Sequence, residues 1–375
     1  MLNKTPTPWV QKYLSDSSVA QVIMGQSPNS STFNNEKNGL PFYQGKTDFG
    51  RVSPTPRVWC SKPVKIAEAD DILLSVRAPV GVVNMCTEKS CIGRGLCAIR
   101  AKETVLPKFL YYFFVFYEPI LKTRGSGAVF DAITKTFVDK IKVPIPPTLA
   151  EQQEIVQVLD TMSDIIRLRE ECISHAQDLI PAIFQEMFGD VIKNKKNINK
   201  IKLGKIFILS SGKFLPAKEM DETGIYPVFG GNGINGYHNE YLFDEPKLCI
   251  GRVGVKCGCV HLTKPKSWIT DNALYINKLL KPINIIYLKE ALTQINLNQY
   301  AKRAAQPVIS QSTIYNQYIL EPPIELQEQF AQKAIEIEAY IKEQNEELEN
   351  AKQMFQSLLH HAFTGELTRR AYGED

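Results

Sequence analysis

At 375 residues, with 44% hydrophobic and 22% charged side chains, the chain is too long for one ordinary domain and implies two or three. No apolar run approaches the roughly 18 residues of a membrane helix; the longest, Phe109 to Tyr117, is closed off by Lys108 and Glu118. The apolar and charged fractions are those of a soluble globular protein. The opening Met1 to Pro6 lacks a secretory pattern, so a cytoplasmic location is expected. The eight cysteines then remain reduced, most of them as small core residues.

The net charge of +4 hides an alternation. Residues 1–148 carry 19 basic and 11 acidic side chains, residues 149–190 carry 2 and 9, residues 191–321 carry 18 and 9, and residues 322–375 carry 5 and 11. Two large basic blocks suggest a polyanion partner, and the two short acidic ones require a different explanation.

In chain order, the first block (1–145) is punctuated by Gly and Pro. It contains strand-like runs such as Asp71-Ile72-Leu73-Leu74-Ser75-Val76, which predict a mixed, mostly β domain with long loops. From 146 to 190 the pattern changes. Pro146-Pro147 opens the segment, and Leu159, Ile166, Ile173, Ile180 and Met187 recur every seven residues beside a second row, Met162, Arg169, Ala176 and Ile183. Such a stripe is a coiled-coil seam on a helix of about 38 residues, roughly 57 Å long. Pro181 should kink it near its end.

The second basic block (191–321) again reads as mixed β, with Lys247-Leu248-Cys249-Ile250 as one strand. Pro227-Val228-Phe229-Gly230-Gly231-Asn232-Gly233 fits the methyl-donor loop of adenine methyltransferases. However, neither Pro-Pro pair is flanked by the Asp or Asn and the aromatic of a companion catalytic motif, which favours a structural turn. Asp221 with Glu245-Pro246-Lys247 is too sparse to argue a metal-dependent nuclease. Cys249, Cys257, Cys259 and His261 lack the usual zinc spacing, so buried thiols are the simpler reading. With no phosphate-binding or nucleophile-elbow motif, no catalytic residue, metal or cofactor is assigned.

Residues 322–375 repeat 146–190. Pro322-Pro323-Ile324-Glu325-Leu326-Gln327 echoes Pro146-Pro147-Thr148-Leu149-Ala150-Glu151-Gln152, and at an offset of 175 the seam recurs as Ala334, Ile341, Leu348, Phe355 and Ala362. In the blocks, Gly39 to Gly45 parallels Gly224 to Gly231, and Arg77 falls opposite Arg252. The expected fold is α+β: two mixed, mostly β domains separated by two long antiparallel coiled-coil helices, with a pseudo-twofold internal repeat.

On these residues the chain resembles the specificity subunit of a type I restriction-modification system. The resemblance takes in essentially the whole sequence: a variable domain (1–145), a spacer opening Pro-Pro with a nearby Glu151-Gln152 (146–190), a second variable domain (191–321), and a second spacer with Thr364-Gly365-Glu366-Leu367 (322–375). The second spacer departs from the Leu-Ala-Glu-Gln spelling of the first. The resemblance implies target-recognition domains that bind double-stranded DNA, helices that dock two methyltransferase subunits, and restriction subunits that join through the methyltransferase complex. In this arrangement the spacer length fixes the gap between two DNA half-sites.

For base and phosphate contact the useful groups are Arg and Lys, with Asn or Gln for adenine. The candidates are Tyr43, Gln44, Lys46, Arg51, Arg77 and Arg94 in the first domain. In the second they are Asn232, Asn235, Arg252, Lys256, Asn272, Lys302 and Arg303, with Gln306 and the Gly125-Ser126-Gly127 turn as further positions. The alternatives are a self-contained DNA methyltransferase or nuclease, and a stand-alone bipartite DNA-binding regulator.

Overall fold

A computed structural model describes residues 9–125, 132–221, 223–302 and 306–364. It divides into two compact units, 1–170 with 347–375, and 171–346, so that each long helix is shared between them.

In the first unit a four-stranded sheet is formed by β2 (Ala20–Met24), β4 (Ile72–Ser75), β5 (Val83–Met85) and β7 (Leu96–Ala101), in the order β2-β7-β4-β5. A short pair, β1 (Val10–Tyr13) with β8 (Lys142–Ile145), brings the ends of the domain together. β3 (Leu40–Tyr43) runs parallel to β6 (Ser90–Ile92) in a second, five-stranded sheet. The continuous apolar run of β4 is explained by burial on both faces. Ile72 and Leu74 face a large core with α1 (Pro107–Gly125), whereas Leu73 faces a smaller core with Tyr43, Ile92 and Ala98.

The second unit repeats this plan. β10 (Phe207–Ser211), β13 (Leu248–Gly251), β14 (Val260–Leu262) and β16 (Ala273–Leu279) take the order β10-β16-β13-β14. β9 (Lys200–Lys202) pairs with β17 (Tyr318–Leu320). β11 (Tyr226–Gly230) forms a hairpin with β12 (Gly233–His238) and a parallel pair with β15 (Trp268–Ile269). Leu248 and Ile250 face the core shared with α3 (Ile285–Gln294), and Cys249 faces Phe229 and Ile269.

The long helices are α2 (Leu149–Phe188), which continues through Pro181, and α4 (Ile324–Thr364). In the first unit Ile155 and Leu159 of α2 join Leu359, Ala362 and Phe363 of α4 in one core, and Arg169 pairs with Glu347. In the second unit Cys172 lies 3.6 Å from Tyr340, and Phe184 and Phe188 pack on Phe330. Within each unit, then, the segments run antiparallel. The seam positions Leu159, Ile166, Ile173, Ala334, Leu348 and Ala362 are all buried, as the seven-residue period predicts.

Both helices are fastened by the same buried amide. Gln152, 1% exposed, accepts from Leu106 N–H at 2.8 Å and donates to Thr104 O at 2.8 Å. Gln327, 4% exposed, accepts from Asn284 N–H at 3.0 Å and donates to Pro322 O at 2.9 Å. The glutamine of the spacer motif thus latches each helix start to its own β domain. The neighbouring position, Glu151 in one helix and Leu326 in the other, takes no part in this latch. Replacing Gln152 by Leu strands two backbone groups and should cost about 1–3 kcal/mol. Urea unfolding should show an earlier transition, with loss of amide protection at Leu106.

Candidate nucleic-acid interface

In the first unit, loops from four strands converge on one cleft of about 570 Å³. Its polar side chains include Gln44 and Lys46 from the turn after β3, Arg77 from the loop after β4, and Arg94 from the turn between β6 and β7. Each loop is held by its backbone. The buried Asp48 carboxylate accepts from the Gln44 N–H at 2.7 Å and the Gly45 N–H at 3.3 Å, and its other oxygen binds Arg57 at 2.6 Å. Ser75 Oγ donates to the carbonyls of Arg77 and Pro79, both at 3.0 Å, and the Arg94 N–H donates to Ser27 Oγ at 3.2 Å. Gly95 lets two loops touch, since a Cβ there would overlap the carbonyl oxygen of Gln44.

With the loops tied through backbone groups, the side chains point outward unspent. Gln44, Lys46, Arg77 and Arg94 are exposed, and none makes a side-chain hydrogen bond or ion pair among the described residues. Among the described residues no acidic one lines the cleft. Elsewhere in the unit cations are matched, as Arg57 is with Asp48, Arg100 with Asp71 and Lys108 with Asp160. Three cations held together with no counter-charge among the described residues repel one another and create a field that attracts an anion.

Two candidates of this domain do not join the cleft. Tyr43 is a core residue, 1% exposed, packed with Leu73, Ile92 and Ala98, and burial pushes its phenol up to about 12. As the last residue of β3, it points into the small core while the next residue emerges into the cleft. Arg51 is turned onto α2, where it pairs with Glu170 at 2.5 Å and donates to Ser163 O at 3.2 Å.

The second unit builds the same frame. Gly93 N–H donating to Tyr43 O is matched by Thr270 N–H donating to Phe229 O, both at 2.8 Å, and Gln26 N–H to Ile92 O by Lys213 N–H to Ile269 O. Ile133 N–H donating to Val76 O is matched by Ile309 N–H donating to Arg252 O, and the bridge of Arg77 with Ala132 by that of Val253 with Val308. Around Arg77 the domains are therefore related by 176 residues, and the expected pairing of Arg77 with Arg252 is one residue out. Arg252 occupies the place of Val76, and Val253 that of Arg77. The helices keep the 175 offset because the second linker lacks a counterpart of Thr148.

Asn232 lies in the two-residue turn between β11 and β12, the place of Lys46, and is exposed. The glycines of this segment serve close packing. A Cβ on Gly230 would overlap Asn235, one on Gly251 would overlap the Gly231 carbonyl, and Gly233 has a φ of +96°. Asn235, Lys256, Asn272, Lys302 and Gln306 are exposed, whereas Arg252 is half-buried with Nη1 3.3 Å from Ser211 Oγ. Arg303 lies outside the described residues, as do Ser126 and Gly127 of the proposed turn and the Gly365-Glu366-Leu367 end of the second spacer. Sequence reading missed Phe214 and Val255, apolar yet 67% and 84% exposed in loops of this frame.

Of the residues considered for other chemistry, Asp221, Cys249 and Cys257 have structural surroundings that account for them. Asp221 accepts from Thr223 and Asn239, which holds its carboxyl below the usual range. Cys249 is buried, its thiol pushed up to about 12, and Asn298 donates to the buried Cys257 sulfur at 3.6 Å. Among the described residues no three potential ligands converge, and no helix is long and apolar enough to cross a membrane.

The family model of the type I restriction modification DNA specificity domain matches residues 6–175 and 195–350. The chain belongs to this family. Its two matched segments cover the two β domains with parts of the helices, as the duplicated frame requires. The chain is 43% identical over 171 residues to the putative type I restriction enzyme MjaX specificity subunit of Methanocaldococcus jannaschii, a match covering 45% of this chain and 40% of that protein. It is 28% identical over 288 residues to the EcoprrI specificity subunit of Escherichia coli, 70% of each chain. The match thus spans less than half the length of the first relative and about two thirds of the second. Among solved structures, the type I system S subunit from M. genitalium aligns with a TM-score of 0.61 at 16% identity, over 97% of this chain and 98% of that one, and so shares the fold. These relatives are named as specificity subunits, the class that the spacer motifs imply.

Proposed function

We propose that the chain is the DNA-reading specificity subunit of a type I restriction-modification complex, each β domain reading one half of a two-part target in double-stranded DNA. The carrying observation is the cleft of the first domain, where Lys46, Arg77 and Arg94 stand beside Gln44 on loops fixed from behind, with no acidic lining and no ion pair among the described residues. Such groups offer phosphates a charge and base edges a fork of donors, and their mounting holds them ready before DNA arrives. The second domain presents amides and lysines on the same frame.

Catalysis is assigned to partners. Two methyltransferase subunits dock on the acidic helices, and restriction subunits join through them, in the cytoplasm. In support, both helices carry exposed apolar side chains, including Val158, Ile165 and Leu168 on α2 in the first unit and Ile335 and Tyr340 on α4 in the second. Their acidity disfavours DNA and leaves them free for protein. Co-expression with a tagged methyltransferase subunit tests this directly: a stable co-purified complex is expected, and a chain that binds its target but never captures the subunit is a freestanding regulator instead.

DNA affinity should fall linearly on a log–log plot against salt. Lys46→Ala should weaken binding to every sequence about equally and reduce the salt slope by about one, measured by fluorescence anisotropy on duplex DNA. A sequence-selective loss without a slope change would remove Lys46 from the phosphate contacts.

A further inference from the structure

The equivalence of the two frames fixes which side chain replaces which at the reading surface, and the replacements are chemically opposed. Lys46 gives way to Asn232 in the turn after the parallel strand, Arg77 to Val253 at the bridge, and Arg94-Gly95 to Asp271-Asn272 before the central strand. These positions converge in the second domain as well, where a Cβ on Gly231 would lie 3.0 Å from the Val253 carbonyl and 3.4 Å from that of Asn272. The rim also changes from Ser27 and Pro79 to the exposed Phe214 and Val255. Resting on the reading that both domains contact bases, we propose that the two halves of the target differ in composition: the first domain selects guanine, and the second selects A·T pairs.

The chemistry follows from what each base presents in the major groove. Guanine offers two acceptors, N7 and O6, which an arginine fork satisfies together, so Arg77 and Arg94 favour it and leave adenine's N6 amine facing a donor. An asparagine amide both donates and accepts, matching adenine N7 and N6, and an exposed apolar side chain fits the thymine methyl group. Asn232 and Asn272, flanked by Phe214 and Val255, provide this pair of functions. Asp271 can only accept, which turns away the acceptor face of guanine; the exocyclic amines it can take are those of adenine and cytosine, so the choice of A·T rests on the two asparagines and the apolar pair. The second domain keeps its general affinity through lysines outside this set, Lys213, Lys256 and Lys302, all exposed.

The test selects binding sites for the purified full chain from a library of random duplex DNA. The expected result is a two-part motif in which one half holds fixed guanines and the other only A·T pairs. Arg77→Gln and Arg94→Gln should each lower the preference for guanine at one position of the first half on the order of ten- to hundredfold. Asn232→Ala should relax only the second half. All three are surface substitutions, and unchanged urea unfolding excludes a folding cause. A two-part motif whose halves are alike, or whose guanines survive both arginine variants, overturns the composition assignment while leaving DNA reading intact. Enrichment of no motif overturns both.

Discussion

Reversing the two cleft arginines together, Arg77→Glu with Arg94→Glu, should lower the affinity of the full chain for its duplex target by about 100- to 1,000-fold, because two forked contacts are lost and two like charges are set against phosphate. Both side chains are exposed and unpaired among the described residues, so thermal unfolding should be unchanged. Repeating the reversal at Arg51 and Arg57 provides the contrast. These arginines are committed to Glu170 and Asp48, so their variants should perturb the fold before they perturb DNA contact. Equal losses of affinity at both pairs would mean that net charge, not the cleft, holds the DNA.

The largest stability effect is expected at the end of α2. Phe188 is fully buried, with ring centroids 5.0 Å from Phe184 and Tyr287 and 5.8 Å from Phe330, so it ties both long helices to α3. Phe188→Ala removes this anchor and should cost about 3–5 kcal/mol. Hydrogen exchange should show protection lost in the sheet of β10, β13, β14 and β16, while β2, β4, β5 and β7 keep theirs. The same truncation at the surface-facing Phe214 should leave stability within about 0.5 kcal/mol and act only on DNA binding. Retained protection after Phe188→Ala would remove the aromatic cluster as the joint between helix and domain.

The helices were legible because a coiled-coil seam is written at fixed local spacing: Leu159, Ile166, Ala334 and Leu348 of that seam are buried, while Ile180, Met187, Ile341 and Phe355 are half-buried. The runs Asp71–Val76 and Lys247–Ile250 were legible as strands for a related reason: burial on both faces leaves an unbroken apolar stretch. The site was only partly legible. Gln44, Lys46, Arg77 and Arg94 come together as side-chain chemistry suggested, but nothing local marks Tyr43, one residue earlier, as the side that turns inward. Arg51 finds Glu170 at a separation of 119 residues, beyond any periodic signal. The slip between Arg77 and Arg252 arose because loop-length differences move the offset along the β domains, to 176 residues at Arg77 and 186 at Tyr43, while the helices stay at 175, so a single offset cannot align both. Gln152 stood out as part of a motif, yet its latch on Leu106 needed the fold.

That this chain supplies the address and others the reaction is tested most directly by mapping modified bases across a genome after co-expression with its methyltransferase subunit. The account predicts methylation confined to a two-part sequence with a constant gap, absent when either component is left out. Methyl transfer by the chain alone, or modification at a single uninterrupted sequence, would contradict it.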